Sequence, residues 1–199
     1  IETVTATAQL VARHRAGKQY DGAEVEVDVD VEDCFTALLQ FASGAQGHWT
    51  VHFASPGETM NRRLVLGDRG TCDLPADRSG QPVRIRRGAD LLEGEALLAE
   101  LGDWRLGDVE ARLFGERPTS YSLPYPDTDR KLIAAELASF VAAVRAGTLP
   151  ESDGAVGLRS VAVISAVLES ATAGRPVAVS EVLSGDLHAW QDTVEIAAQ

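Results

Sequence analysis

A chain of 199 residues, 45% apolar and 24% charged, has the size and balance of a globular protein built as one domain or a tight pair. Its formal charge of −12 disfavours nucleic acid and anionic membrane surfaces as partners, because both are polyanions. No uninterrupted apolar run approaches the roughly 20 residues that span a bilayer, and no basic-then-apolar leader opens the chain, so a cytoplasmic protein is expected.

Residues 1–13 alternate, with Val4, Ala6, Ala8, Leu10 and Ala12 on one face and threonines, Gln9 and Arg13 on the other. Period two with β-branched residues predicts a half-buried strand. A polar stretch follows and ends in Asp21-Gly22, a turn signal. Val25, Val27, Val29 and Val31 then alternate with Glu24, Glu26, Asp28 and Asp30, predicting a second strand. Its carboxylates are too far apart for one calcium ion, and they read as a charged face that protects a strand edge.

Residues 35–41 predict a third strand, and Ser43-Gly44 turns it into a fourth over 46–54. There Trp49, Val51 and Phe53 share the apolar face, and His48, Thr50 and His52 share the other. Shorter strands are predicted at 62–66, 71–74 and 83–86. Turns this tight require antiparallel neighbours, since a parallel crossover needs about a dozen residues or more.

Residues 89–126 read as a long loop with a short helix at 91–101. A helix over 129–145 carries an apolar stripe of Ile133, Leu137, Phe140, Val141 and Val144, expected to face the core. A second helix over 154–173 is expected to turn Leu158, Val161, Ile164, Val167, Leu168 and Ala171 inward, with Gly174 and Pro176 ending it. A last short strand is predicted at 177–179. Strands first and helices later predict one α+β domain over 1–199: a mostly antiparallel open sheet with helices packed on one face.

Cys34 and Cys72 have no metal-motif spacing. Two reduced thiols in strands are expected, with a disulfide between them left open. Asp33 precedes a strand, and a turn or backbone role is preferred over catalysis. Arg62, Arg63, Arg84, Arg86 and Arg87 flank strands and are expected to pair with the excess acid. No two of the 18 glycines lie two residues apart, so G-x-G-x-x-G occurs nowhere.

Two stretches resemble a known family. The first is Glu32-Asp33, an apolar strand, Phe41-Ala42-Ser43-Gly44-Ala45, and Gly67-Asp68-Arg69-Gly70-Thr71. The second is Glu136-Leu137-Ala138-Ser139-Phe140-Val141, Ala146-Gly147, Gly157-Leu158-Arg159, Ser170-Ala171 and Gly174-Arg175-Pro176-Val177. In that order they resemble the C-terminal domain of the glucose–fructose oxidoreductase/inositol dehydrogenase (Gfo/Idh/MocA) family. The resemblance implies a two-domain enzyme acting on a sugar or polyol. An N-terminal Rossmann domain would bind NAD or NADP, and the C-terminal domain would shape the substrate pocket and build a homo-oligomer through its sheet.

The family's catalytic lysine, in Glu-Lys-Pro, and histidine, in His-x-x-Asp, have no counterpart here. Lys18 precedes Gln19 and Lys131 precedes Leu132, and none of the four histidines has Asp three residues later. The chain opens at Ile1 inside a strand pattern, so the expectation is that the dinucleotide-binding half lies upstream. No catalytic residue, bound cofactor or metal is therefore expected on this chain. A stand-alone binding or oligomerisation protein of the same fold is the alternative.

His48 and His52 share a strand face about 13 Å apart, too far for one zinc ion; they read as polar residues of a solvated or subunit-facing sheet surface, with a border of the substrate pocket as the functional alternative. Tyr125 and Asp127 lie in an aromatic and charged segment, 121–130, that suits sugar recognition or loop anchoring equally. With Arg62, these residues are the candidates for substrate binding.

Overall fold

The computed structural model describes residues 1–18, 22–57 and 60–197. Five strands come first: β1 (Thr3–Gln9), β2 (His14–Lys18), β3 (Glu24–Asp28), β4 (Cys34–Gln40) and β5 (Gln46–His52). Then follow β6 (Arg63–Gly67), β7 (Gly70–Leu74), β8 (Arg84–Arg87), β9 (Asp90–Leu92), α1 (Gly94–Glu100), α2 (Asp108–Phe114) and α3 (Tyr125–Ala146). The chain ends with α4 (Gly154–Ala173), β10 (Val177–Ala178), α5 (Val179–Ser184) and α6 (Ala189–Ala197). The fold is α+β, and every strand pairing among the described residues is antiparallel. The strands divide among a four-stranded sheet β10-β1-β4-β5, a hairpin β2-β3 and a second four-stranded sheet β6-β7-β8-β9. The chain falls into two compact units, Ile1–Glu58 with Ser152–Gln199, and Thr59–Glu151.

In the first unit α4 covers the inner face of the sheet. Small residues set the closeness of that packing: Ala6 and Ala37 on the strands share one buried cluster with Ala162 and Ala166 on the helix. Val4, Leu39, Val167, Val177 and Val179 fill the cluster, with Phe35 and Trp49 edge to face at 5.0 Å beside it. β10 pairs with β1 only at Thr3 and Val4. One step further along β1, the buried Ser170 takes over: its Oγ accepts the Ala6 N–H at 3.0 Å and donates to the Arg175 carbonyl at 2.7 Å. Gly174 ends α4 in the left-handed region, φ 65°.

Asp33, 4% exposed, closes the far end of β1. Its carboxylate accepts the Val11 and Ala12 N–H groups at 2.8 and 3.0 Å and pairs with Arg15. Burial pushes this carboxyl up. The Ala12 and Val11 amides and the Arg15 guanidinium pull it down further, and it settles below the ordinary carboxylate value. The expected turn or backbone role is what the residue performs. It also explains why the first strand is shorter than expected: chain direction changes at Val11 and Ala12, and the polar stretch beyond becomes β2, paired with β3. Asp21, in the expected turn between them, lies outside the described residues.

α4 corrects two expectations. At 20 residues and a mean hydropathy of 1.4 it is, by length and composition alone, apolar enough to cross a bilayer. Yet its inner face is committed to the sheet, and the buried Glu169 receives the Trp190 and Gln191 N–H groups at the start of α6. One side of the helix thus belongs to the core of the first unit, and the other side is exposed. The inward face is Ala162, Ala166, Val167 and Ser170, while Leu158, Val161 and Ile164, expected inside, are exposed. Close backbone packing favours the alanine side of the helix over the leucine side.

In the second unit β6 and β7 form a hairpin across Asp68-Arg69, and β8 and β9 extend it. Gly70 sits where a Cβ would lie 2.3 Å from the Arg86 carbonyl oxygen, so only glycine fits. The stretch expected as loop after 101 contains α2. α3 starts four residues earlier than expected, because Pro124 caps it and Pro126 fits its first turn. Its stripe of Ile133, Leu137, Phe140, Val141 and Val144 is exposed, contrary to expectation. The helix turns Lys131 toward α2 instead, where Nζ donates to the Leu113 carbonyl and lies 5.4 Å from the Phe114 ring.

Candidate functional site

The five candidate residues divide between the two units. His48 and His52 stand on β5, and the register places His48 opposite Leu38 and His52 opposite Cys34. With Thr50 between them they lie on the exposed outer face of the four-stranded sheet. Four rows cross that face: Thr3–Gln40–Gln46, Thr5–Leu38–His48, Thr7–Thr36–Thr50 and Gln9–Cys34–His52. The Thr36 and Thr50 hydroxyls are 3.3 Å apart. This face is a broad field of donors and acceptors with one exposed leucine, and α4 lies on the opposite side.

Arg62, Tyr125 and Asp127 belong to the second unit. Arg62 lies just before β6, with its guanidinium 3.6 Å from Asp73. Tyr125 and Asp127 are in the first turn of α3, not in a loop. An acidic residue there suits the positive end of the helix dipole. Asp127 pairs with Arg130 at 2.9 Å, and Tyr125 is 61% exposed.

The structure adds Arg78, which the sequence showed only as part of a turn. Its φ of 64° makes it the one non-glycine residue in the left-handed region among those described. The guanidinium lies 5.6 Å from the centre of the Tyr125 ring and donates to the Tyr125 hydroxyl at 3.2 Å. Its Nε is also 2.6 Å from Asp129 Oδ1, an ion pair whose angle leaves that buried oxygen without an aligned hydrogen bond. Beside it, Arg63 grips Asp77 through two 2.6 Å bonds, which hold the Asp77 carboxyl below its usual range. An aromatic face, a guanidinium and carboxylates, brought together from the Arg78 turn and the first turn of α3, can hold a polyhydroxy compound by stacking and paired hydrogen bonds. Nothing local in the sequence marks a left-handed arginine, so only the folded chain reveals this group.

Two grooves lie elsewhere. One, about 940 Å³, is lined by Trp49, Val156, Arg159, Ser160 and Leu183 in the first unit. The other, about 490 Å³, lies on the second sheet beside Val65, Cys72, Ile85 and Arg87. None of the five candidates lines either groove. Arg63, Arg84 and Arg87 pair with Asp77, Glu93 and Glu100, as expected of the basic clusters. Both cysteines are free thiols. Every strand pairing among the described residues is antiparallel, so they contain no βαβ unit.

The fold is shared with solved oxidoreductases. An oxidoreductase from Agrobacterium radiobacter, in complex with NAD+, L-tartaric acid and magnesium, matches with a TM-score of 0.60 at 20% identity, covering 90% of this chain and 44% of that one. An NAD-binding oxidoreductase from Klebsiella pneumoniae matches at 0.62 and 24% identity, over 89% of this chain and 45% of its own. Levoglucosan dehydrogenase, in complex with NADH and L-sorbose, matches at 0.57 and 19%, over 89% and 44%. The chain thus spans less than half the length of these proteins. Among curated proteins, none matches it. The sequence profile of an oxidoreductase family's C-terminal alpha/beta domain matches residues 2–179, nearly the whole chain, and the protein therefore belongs to that family, Gfo/Idh/MocA.

Proposed function

We propose that this chain is the substrate-binding and assembly domain of an NAD- or NADP-dependent oxidoreductase that acts on a sugar or polyol. The observation that carries the reading is the family match over residues 2–179 in a chain that covers less than half of its structural relatives. The dinucleotide and the proton-handling residues belong to the remainder of such an enzyme. This chain's own residues bind and orient the substrate, which lowers the barrier by placing the reacting carbon correctly. His48 and His52 on the outer sheet face, and Tyr125, Asp127 and Arg62 in the second unit, are the proposed hydroxyl contacts. Arg78 stiffens Tyr125 through its ring and hydroxyl contacts. The remainder of that polar outer face, on β1 and β4, is proposed as the surface on which copies associate, since it bears no covering helix of its own unit.

Alanine at His48, His52, Tyr125 and Asp127, each taken singly in the full-length enzyme, tests these contacts. KM for the sugar should rise, or sugar preference change, with kcat little affected, because the contacts are shared by ground and transition states. Unchanged KM and preference in all four variants would sink the assignment. Titration of the isolated chain with NADH and NADPH, followed by nicotinamide fluorescence, should show no saturable binding. Micromolar binding would place a cofactor site here after all.

A further inference from the structure

Arg78 stands where the backbone favours glycine. The Ser79 N–H donates to the Ala76 carbonyl at 3.2 Å, so Arg78 is the third residue of a β-turn, and a φ of 64° at that place belongs to glycine. A turn that only reverses the chain gains nothing from arginine there. A backbone outlier of this kind points to a task for its side chain. The guanidinium performs two at once: Nε lies 2.6 Å from Asp129 Oδ1, and Nη1 donates to the Tyr125 hydroxyl at 3.2 Å.

The Arg78–Asp129 pair is open on one side. Asp129 Oδ1 is shielded from solvent, whereas the Arg78 side chain is 47% exposed and lies beside the exposed Tyr125 ring. A ligand on that ring therefore meets the guanidinium, with a carboxylate fixed behind it. Other arginines of the second unit are matched in the same way: Arg130 with Asp127 at 2.9 Å, Arg63 with Asp77 at 2.6 Å and Arg62 with Asp73 at 3.6 Å. A guanidinium so matched still donates hydrogen bonds to hydroxyl oxygens. Its pull on a net negative charge is largely cancelled, while an anion still bears the cost of leaving water.

Given the substrate-binding role proposed for Tyr125 and Asp127, on which this rests, we propose that the Arg78–Asp129 pair sets the charge selectivity of the site: it admits a neutral sugar or polyol and rejects the corresponding sugar acid. A neutral ligand stacks on the Tyr125 ring, and its hydroxyl oxygens accept from Arg78. A carboxylate in the same place faces Asp129 across the guanidinium, and that repulsion is the rejecting element. The formal charge of −12 on the chain acts in the same direction at longer range.

Matched substrates test the pair in the full-length enzyme: D-glucose with D-glucuronate, D-galactose with D-galacturonate, and D-glucitol with D-gluconate. kcat/KM should favour the neutral member. Asp129→Asn should raise the acid-to-neutral ratio by roughly ten-fold, because one negative charge is lost close to the ligand in a half-exposed setting. Arg78→Gln, which leaves Asp129 unmatched, should lower it. The ratio does not depend on how much of a variant is folded, and a merely structural role would move neither ratio. Should Asp129→Asn yield no folded enzyme, Asp127→Asn, which releases Arg130, must raise the ratio instead. Preferred turnover of the acids, turnover of none of these compounds, or an acid-to-neutral ratio that stays level or falls in the asparagine variant overturns the proposal. Tyr125→Ala separates the two levels. A raised KM for the neutral sugar beside an unmoved ratio refutes the charge selectivity alone, whereas an unchanged KM removes the Tyr125 contact and the selectivity with it.

Discussion

Replacing Ser170 by alanine removes one oxygen from a buried position and keeps the helix. The hydroxyl serves two backbone groups: it accepts from Ala6 N–H at 3.0 Å and donates to the Arg175 carbonyl at 2.7 Å. β10 is too short to reach Ala6, so no strand can take the hydroxyl's place. A buried amide left without an acceptor costs about 1–3 kcal/mol, and the second bond contributes about 0.5–1.5 kcal/mol more. The Arg175 carbonyl is nearer the surface and recovers part of its bond from water, so the expected loss is about 2 kcal/mol. That is a shift of roughly 30-fold in the local opening equilibrium. Because the chain has two compact units, the assay must be local to the first: amide hydrogen exchange of β1 and β4, resolved by residue. Protection at Val4, Ala6 and Leu39 should fall together by that factor, while β7 and β8 keep theirs. If protection falls by less than about three-fold, corresponding to well under 1 kcal/mol, the hydroxyl is not what completes the sheet edge.

Gly80→Ala should destabilise the second unit by several kcal/mol, because φ is +66° and the new Cβ would lie 2.0 Å from the Tyr121 carbonyl oxygen. Gly174→Ala, at φ +65° with open space around it, should cost only about 1–2 kcal/mol; equal thermal shifts for the two would contradict the clash. Glu169→Ala should release the start of α6, seen as faster proteolysis after Leu187, since two backbone amides lose their acceptor. The folded-state pKa of Asp33 is lowered, so its contribution is complete above the ordinary carboxylate value and is lost as pH falls through the lowered one. Exchange at Val11 and Ala12, corrected for its intrinsic pH dependence, should accelerate below about pH 4 and lose that pH dependence in Asp33→Asn. His188 is raised by its bond to Asp192, so its support for α6 is present below about pH 6.5 and fades as pH rises through the raised value; a histidine titration in Asp192→Asn that matches the unmodified chain would contradict this.

The motifs that betray the family turn out to be the staples of the fold, which is why a single sequence sufficed to read them. Asp33 ties the end of β1, Ser170 completes its edge, Gly174 ends α4, and Gly70 admits β8 beside β7. Arg175 and Glu181 clasp the turn between α4 and α5. Each requires one residue type for a backbone reason, so each leaves a local mark. The strands around them were legible for a similar reason: period two in Val4 and Ala6, or in Trp49 and Val51, is imposed by a sheet with one covered face. The division of the strands into two four-stranded sheets and a hairpin left no such mark, because the alternation within a strand does not name its neighbour.

The candidate site was less legible, and Arg78 and the helices show two different causes. Arg78 reaches Tyr125 across 47 positions of sequence, through a backbone angle that arginine rarely adopts, and neither distance nor angle is encoded near it. On the helices the periodic signal was present and pointed to the wrong residues. α4 offers two apolar stripes, one of alanines and valine and one of Leu158, Val161 and Ile164. Hydrophobicity alone favours the second. The sheet selects the first, because Ala6 and Ala37 leave room for a close helix and the hydroxyl of Ser170 must reach Ala6. A helical period reports that a face is apolar; which face is buried depends on the shape of the surface that receives it. Enlarging Ala166 to leucine is therefore expected to disrupt the first unit more than reducing Leu158 to alanine, although the latter removes far more apolar surface. Overpacking costs about 1–3 kcal/mol, and an exposed leucine contributes little. Urea unfolding followed at the β4 amides would reverse this argument if Leu158→Ala proved the more damaging of the two.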